Sequence, residues 1–243
     1  MKLDILVIMA HPDDCEMSCG GTIIKHTREG KKVGVVDLTQ GELGTRGTAE
    51  IRIEESKKAA RIMGLSVREN MKFRDGFFKN DEEHQIQLVN QIRRFQPDIV
   101  ITNSIRDRHP DHGRAAELVK ESCFLSGLKE IKTHFDNENQ EAWRPAHLFY
   151  VIQFTEMEPH FVVNIGDVFE EKWNAIKAYE SQFHNLNSNE PDTMLSNPEF
   201  FDTLQSRWRV AGSYARIEYG EGFLTDRKLA LNNFYNLDLS GTP

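Results

Sequence analysis

The sequence predicts an α/β doubly wound fold, a mostly parallel sheet with helices on both faces. Three observations predict it. Apolar runs of strand length alternate with amphipathic stretches of helix length along the first half of the chain. The runs at residues 3–9, 32–39 and 98–103 are nearly continuous in apolar side chains, as in strands buried on both faces of a parallel sheet. The chemically loaded residues follow two of those runs directly, at the carboxyl edge where ligands gather in such sheets. At 243 residues the chain is long enough for one sizeable core, so a single domain over 1–243 is expected.

Each element rests on its own signal. Residues 3–9, "LDILVIM", read as the first strand, 20–30 as a short helix stopped by Gly30, and 32–39, "KVGVVDLT", as the second strand. Residues 48–64 have helical spacing, with Ile51, Ala59, Ile62 and Met63 as the expected apolar face and Gly64 as the stop. A third strand is expected at 70–75, a third helix at 82–95 ending before Pro97, a fourth strand at 98–103 and a helix from 110 to 123. Further on, 147–154 and 160–165 read as strands, and 168–183 and 200–215 as helices. The polar, Asn-rich stretches at 132–145 and 184–198 read as loops.

Composition excludes several classes. A net charge of -8 argues against a nucleic-acid binder, which needs basic patches to displace counterions from phosphates. Three cysteines suit a reducing compartment better than a disulfide framework. The N-terminal apolar stretch is cut short by charge and lacks the form of a secretory signal, and no apolar run approaches the ~20 residues of a membrane span. A soluble, cytoplasmic protein is expected, with no membrane and no nucleic-acid partner.

The chemistry concentrates in "AHPDDCE" (10–16) and "RDRHPDHGR" (106–114). A dinucleotide site competes for the first cluster, because Asp37 at the end of the second strand stands where a ribose-binding carboxylate would. The G-x-G-x-x-G turn is missing, however, and two carboxylates precede Gly20 and Gly21, where they would repel phosphates. A divalent metal site is the better reading. His11 and Asp14 can reach one ion from a single turn, and His109 and His112, three apart with Pro110 between them at a helix N1 position, offer candidates for a third ligand, since one or both could face the same site. Imidazole and carboxylate suit zinc or ferrous iron with one position left open for water. Helix capping alone would explain Asp and Pro at both places but not histidine at both. His26, His84, His134, His147, His160 and His184 default to surface or packing roles, and Cys15 and Cys19 to packing.

These two motifs, with "DLTQGELGTRGT" between them and "YESQF" and "YGEGF" downstream, resemble the PIG-L-like family of metal-dependent N-acetylglucosaminide deacetylases. The order and spacing look most like the branch acting on N-acetylglucosaminyl-malate in bacillithiol biosynthesis. The resemblance implies a Rossmann-like sandwich without a dinucleotide, and a homo-oligomer. It implies His11, Asp14 and His112 as metal ligands and Asp13 as general base, with His109 an electrostatic residue oriented by Asp111. It places Arg52, Arg144 and Glu42 on the substrate, a small N-acetylated amino sugar with an anionic aglycone. Cys15 intervenes where the family's first motif has glutamate. Asp107 and Arg108 stand where some relatives have a carbonyl-polarising tyrosine, and Phe200 and Phe201 where closer relatives have one.

The residues also suggest how such a site would work. Asp13, beside a ligand but not ligating, can move a proton, and Arg108 or a protonated His109 can hold an oxyanion. Arg46 and Arg106 are expected to be solvated.

Overall fold

The computed structural model describes residues 1–183 and 189–241. His184 and the first part of the 184–198 loop lie outside the described residues.

A seven-stranded sheet in the order β3-β2-β1-β4-β7-β9-β8 organises the fold. The expected strands form β1 (Ile5–Met9), β2 (Val33–Thr39), β3 (Val67–Phe73) and β4 (Ile99–Thr102), which pair in parallel. Between and after them lie α1 (Asp14–Arg28), α2 (Ala49–Ile62), α3 (Glu82–Phe95) and α4 (Pro110–Leu125). β1 and β2 are buried along their whole length, as continuous apolar runs require. The hairpin β5 (His134–Phe135) and β6 (Glu138–Asn139) interrupts a stretch expected to be loop. β7 (His147–Val151) joins β4 in parallel, and β8 (Phe161–Asn164) follows. Next come α5 (Phe169–Lys177), α6 (Phe200–Tyr214) and the antiparallel β9 (Gly220–Thr225), which lies between β7 and β8.

Four expectations are corrected. The first helix begins at Asp14, six residues early, so Asp13 is its N-cap residue and Asp14 opens its first turn. α2 turns Arg52, Glu55, Ser56 and Ala59 inward and leaves Ile51 and Ile62 exposed. Ala59 and Met63 are buried as expected, but the rest of the inner face serves a polar site, so apolar spacing identifies only part of it. The third strand starts at Val67, and β9 was missed because Gly220 and Gly222 dilute its pattern. Both glycines are forced by packing: a β-carbon would fall 2.4 Å from Val162 at Gly220 and 3.1 Å from Pro159 at Gly222.

Beneath α1 the sheet carries buried charge. Lys172 Nζ donates to Glu16 O, Met17 O and Glu221 Oε1, and Glu221 in turn accepts from Gly21 N, Thr22 N and Thr22 Oγ1. Arg68 grips Asp37 with Nε and Nη2 at 2.8 and 3.0 Å and also reaches Glu16. Asp37 is therefore buried and paired with Arg68 inside the protein, which counts against its serving as a ribose-binding carboxylate.

Candidate metal-centred active site

The carboxyl ends of β1 and β4 bring the two motifs together. Chain reversal after β1 is tight. Asp13 takes a left-handed conformation (φ 103°), which an aspartate tolerates better than most residues at a cost of order 1–3 kcal/mol. Asp14 Oδ2 accepts from His11 N at 3.0 Å and closes the turn. Asn103, at the end of β4, ties the edges together: its Oδ1 accepts from Ala10 N and its Nδ2 donates to Asp14 Oδ2. Pro110 opens α4, and His109 caps it, Nδ1 accepting from Asp111 N at 3.3 Å.

The three rings meet over this edge, with centroids 4.7 Å (His11–His109), 5.0 Å (His109–His112) and 5.6 Å (His11–His112) apart. Their nitrogens lie within 4.8 Å of one another. Asp14 sits between the outer two, with Oδ2 3.4 Å from His11 Nδ1 and Oδ1 3.2 Å from His112 Nε2. Two ~2.1 Å bonds at a tetrahedral angle would separate donors by about 3.4 Å, so these spacings suit a shared ion. The remaining nitrogens face carboxylates. His11 Nε2 is 3.1 Å from Asp75 and 3.5 Å from Asp111, and His112 Nδ1 is 2.5 Å from Asp107. A carboxylate behind each imidazole fixes ring orientation and raises basicity, as in histidines that ligate metals. His11, Asp75 and Asp111 also form a tight trio by themselves.

The electrostatics agree with a cation site. Burial would lower the pKa of both outer imidazoles, yet the carboxylates prevail: His11 stands well above its ordinary value through Asp111, Asp14 and Asp75, and His112 rises to about 9 through Asp14 and Asp107. Protons here take the place that a divalent ion would fill. His109 moves the other way, lowered by burial and by its two neighbours. That shift disfavours the imidazolium that was one of the two expected oxyanion partners. Because Nδ1 accepts from Asp111 N, the proton is on Nε2.

Asp13 is buried beside the cluster. Burial raises its carboxyl to about 7, against the opposing pull of Arg52 and with a further push from Asp14. Arg52 Nη2 donates to Asp13 Oδ2 at 3.0 Å and to Gln182 Oε1 at 2.7 Å, while Nη1 donates to Gly41 O. Gly41 (φ 64°) allows that crossing, since a β-carbon there would fall 1.9 Å from Nη1.

Other expected site residues divide. Glu42 Oε1 accepts from Asp75 N, and Asp75 Oδ2 accepts from Leu43 N, so Glu42 holds the loop that carries Asp75. The Asp111 carboxylate does not orient His109; it faces His11, accepts from Gly76 N and pairs with Arg114. Arg108 is exposed at the rim, 4.9 Å over Phe154. Arg144 is not brought to this edge. It donates to Phe124 O near the far end of α4, about 18 Å along the helix from His112 at 1.5 Å per residue. Arg46 is buried, donating to Ser181 O and Pro191 O. Phe200 packs in the core with Phe154 and Phe183, and Phe201 against Trp173 and Phe183. Asp75 and Gln153, whose Nε2 donates to Asp14 Oδ1 at 2.9 Å, were missed. Nothing local marks either of them; Asp107 and Asn103 also carry no site role in the sequence reading, although they stand beside the motifs.

Residues 6–123 match the family model "PIG-L: GlcNAc-PI de-N-acetylase". A diacetylchitobiose deacetylase from Thermococcus kodakarensis is 33% identical over 190 residues, 74% of this chain and 70% of its own. The chain belongs to the PIG-L family. It is accordingly a deacetylase of the amidohydrolase type. A 4-oxalmesaconate hydratase from Pseudomonas putida is also similar, 28% identical over 74% of each chain. A probable N-acetyl-alpha-D-glucosaminyl L-malate deacetylase 2 from Bacillus anthracis is 29% identical over 74% of this chain and 81% of its own. A conserved protein from Thermus thermophilus shares the fold with TM-score 0.85 and 32% identity, over 96% of this chain and 98% of that one. No helix among the described residues is long and apolar enough to cross a membrane.

Proposed function

We propose that this PIG-L deacetylase hydrolyses the acetamide of an N-acetylglucosaminide at a divalent metal held by His11, Asp14 and His112, with Asp13 as base. One observation carries the reading: the buried Asp13 carboxylate stands beside two imidazoles whose outer nitrogens are each held by carboxylates. Zinc, or ferrous iron in the cell, would polarise water and lower its pKa from 15.7 to about 7, worth roughly 12 kcal/mol.

The chain's own groups do the rest. Asp13 takes the water proton and returns one to the departing amine, a role typically worth about 10²–10⁴-fold. Arg52 and Gln182 keep the Asp13 carboxylate aimed. His109 offers its Nε2 proton to the developing charge on the acetamide oxygen, a task that needs no imidazolium. Arg108, exposed at the rim, supplies positive charge to the far side of the substrate.

For that far side, an anionic aglycone such as malate is the reading favoured by the motif likeness and by Arg108; a chitooligosaccharide is the second, favoured by the 33% identical diacetylchitobiose deacetylase. The enzyme works as one domain in the cytoplasm. Fluorescamine detection of free amine over a panel of N-acetylglucosaminides, with and without chelator, tests both levels. Chelator-sensitive amine release is expected, fastest with the malate glycoside. Preference for diacetylchitobiose reassigns the aglycone, and no amine from any acetylated sugar rejects the function.

A further inference from the structure

The segment that follows β7 belongs to neither H-P-D motif, yet it braces two of the residues assigned to the metal. Gln153 Nε2 donates to Asp14 Oδ1 at 2.9 Å. Just beyond it, Phe154 N and Thr155 N donate to Asp107 Oδ1 at 3.1 and 3.0 Å, while Asp107 Oδ2 faces His112 Nδ1. Arg207 of α6 fastens the same stretch from outside by donating to Gln153 O.

Backbone donors fix which way the two carboxamides near Asp14 point. Asn103 Oδ1 accepts from Ala10 N at 2.7 Å and Gln153 Oε1 from Ser104 N at 3.1 Å, so each side chain turns its NH2 group toward Asp14. Asn103 Nδ2 donates to Asp14 Oδ2 at 3.1 Å and to Gln153 Oε1 at 2.9 Å, which locks the pair together. An ionised carboxylate has about four lone-pair sites. His11 N and Asn103 Nδ2 occupy Oδ2, and Gln153 takes one site on Oδ1. What remains is a lone pair on Oδ1, the oxygen 3.2 Å from His112 Nε2.

We propose that Gln153 is a positioning residue that holds Asp14 to a single bond with the ion. This rests on the reading of His11, Asp14 and His112 as the metal ligands. A carboxylate free to turn can present both oxygens and fill a position that water and the acetamide oxygen need. Donors on both of its oxygens keep that position open.

Cobalt(II) bound in place of the native ion tests this through its visible absorption, which is strong at low coordination number and weakens as ligands are added. Gln153→Met keeps the length of the side chain and removes the donor. It should lose most of the visible absorption of the cobalt-loaded parent, with activity about 10–100-fold lower at saturating cobalt. Gln153 borders an open cavity of about 680 Å³, so water can meet the groups it leaves, and circular dichroism should show a folded chain. Gln153→Asn, one methylene too short to bridge Ser104 and Asp14, should behave alike and decides the matter if the methionine variant does not fold. Folded variants that keep the parental spectrum overturn the proposal. So do folded variants that take up no cobalt, which is the mark of a general prop for the site. A parent that binds no stoichiometric cobalt overturns the ligand reading, and this proposal with it.

Discussion

Arg52 points its guanidinium at Asp13, 3.0 Å away, inside the protein. An arginine expected to face substrate instead holds the residue beside the metal cluster, and it shares its donors with Gly41 O and Gln182. Arg52→Lys should therefore lower kcat by about tenfold or more with little change in KM, because an ammonium cannot span three acceptors. Steady-state kinetics with saturating metal distinguish this from a substrate contact, which would raise KM instead.

Asp13→Asn should keep metal content near that of the parent and lose about 10²–10⁴-fold in kcat. Asparagine tolerates the left-handed backbone at this position, so folding should survive. Metal analysis beside amine-release kinetics checks both halves; retained turnover would take the base role from Asp13.

Removing a ligand and removing the carboxylate behind it should differ in degree. His112→Ala should abolish stoichiometric metal binding. Asp107→Asn, which weakens the hold on His112 Nδ1, should reduce metal affinity about 10–100-fold while leaving a site that fills at high metal. Competition titration with a chromophoric chelator measures each.

Lys172 and Glu221 are both inaccessible to solvent and 2.7 Å apart. Lys172→Met leaves the Glu221 charge buried without its cation and should cost about 3–5 kcal/mol, whereas Lys172→Met/Glu221→Leu should recover part of that. Urea unfolding of the metal-free forms provides the comparison. Equal loss in both variants would show that the contacts of Glu221 to Gly21 and Thr22 matter more than its charge.

Burial pushes the Cys123 thiol from its ordinary value near 9 up to about 12. An acid whose pKa is raised on folding favours the native state below the unfolded value and loses that contribution as pH climbs toward the folded one. Stability should thus decline between about pH 9 and 12, and Cys123→Val should flatten the decline. Native protein should also resist alkylation at this thiol in mildly alkaline buffer, since thiolate is the reactive form.

Much of this was legible because the signals were local. Continuous apolar runs identify β1, β2 and β4, since a strand buried on both faces tolerates little else. The two H-P-D motifs disclose His11, Asp14, His109 and His112, because ligands delivered by tight turns must be close in the chain. Misreadings occurred where a side chain answers to a distant partner. α2 turns Arg52 and Glu55 inward because they face Asp13 and Ser181, and β9 accepts glycines because Val162 and Pro159 press against it.

By itself, then, the sequence determined the alternation of strands and helices and the pair of turns that carry the imidazoles, both set by spacing within a few residues. The tertiary structure alone decided that Asp75 stands behind His11, that Arg52 serves Asp13, and that Arg144 lies at the other end of α4. Those relations depend on strand order and helix length, which bring residues dozens of positions apart within hydrogen-bonding distance and carry sequence neighbours of the motifs away from them.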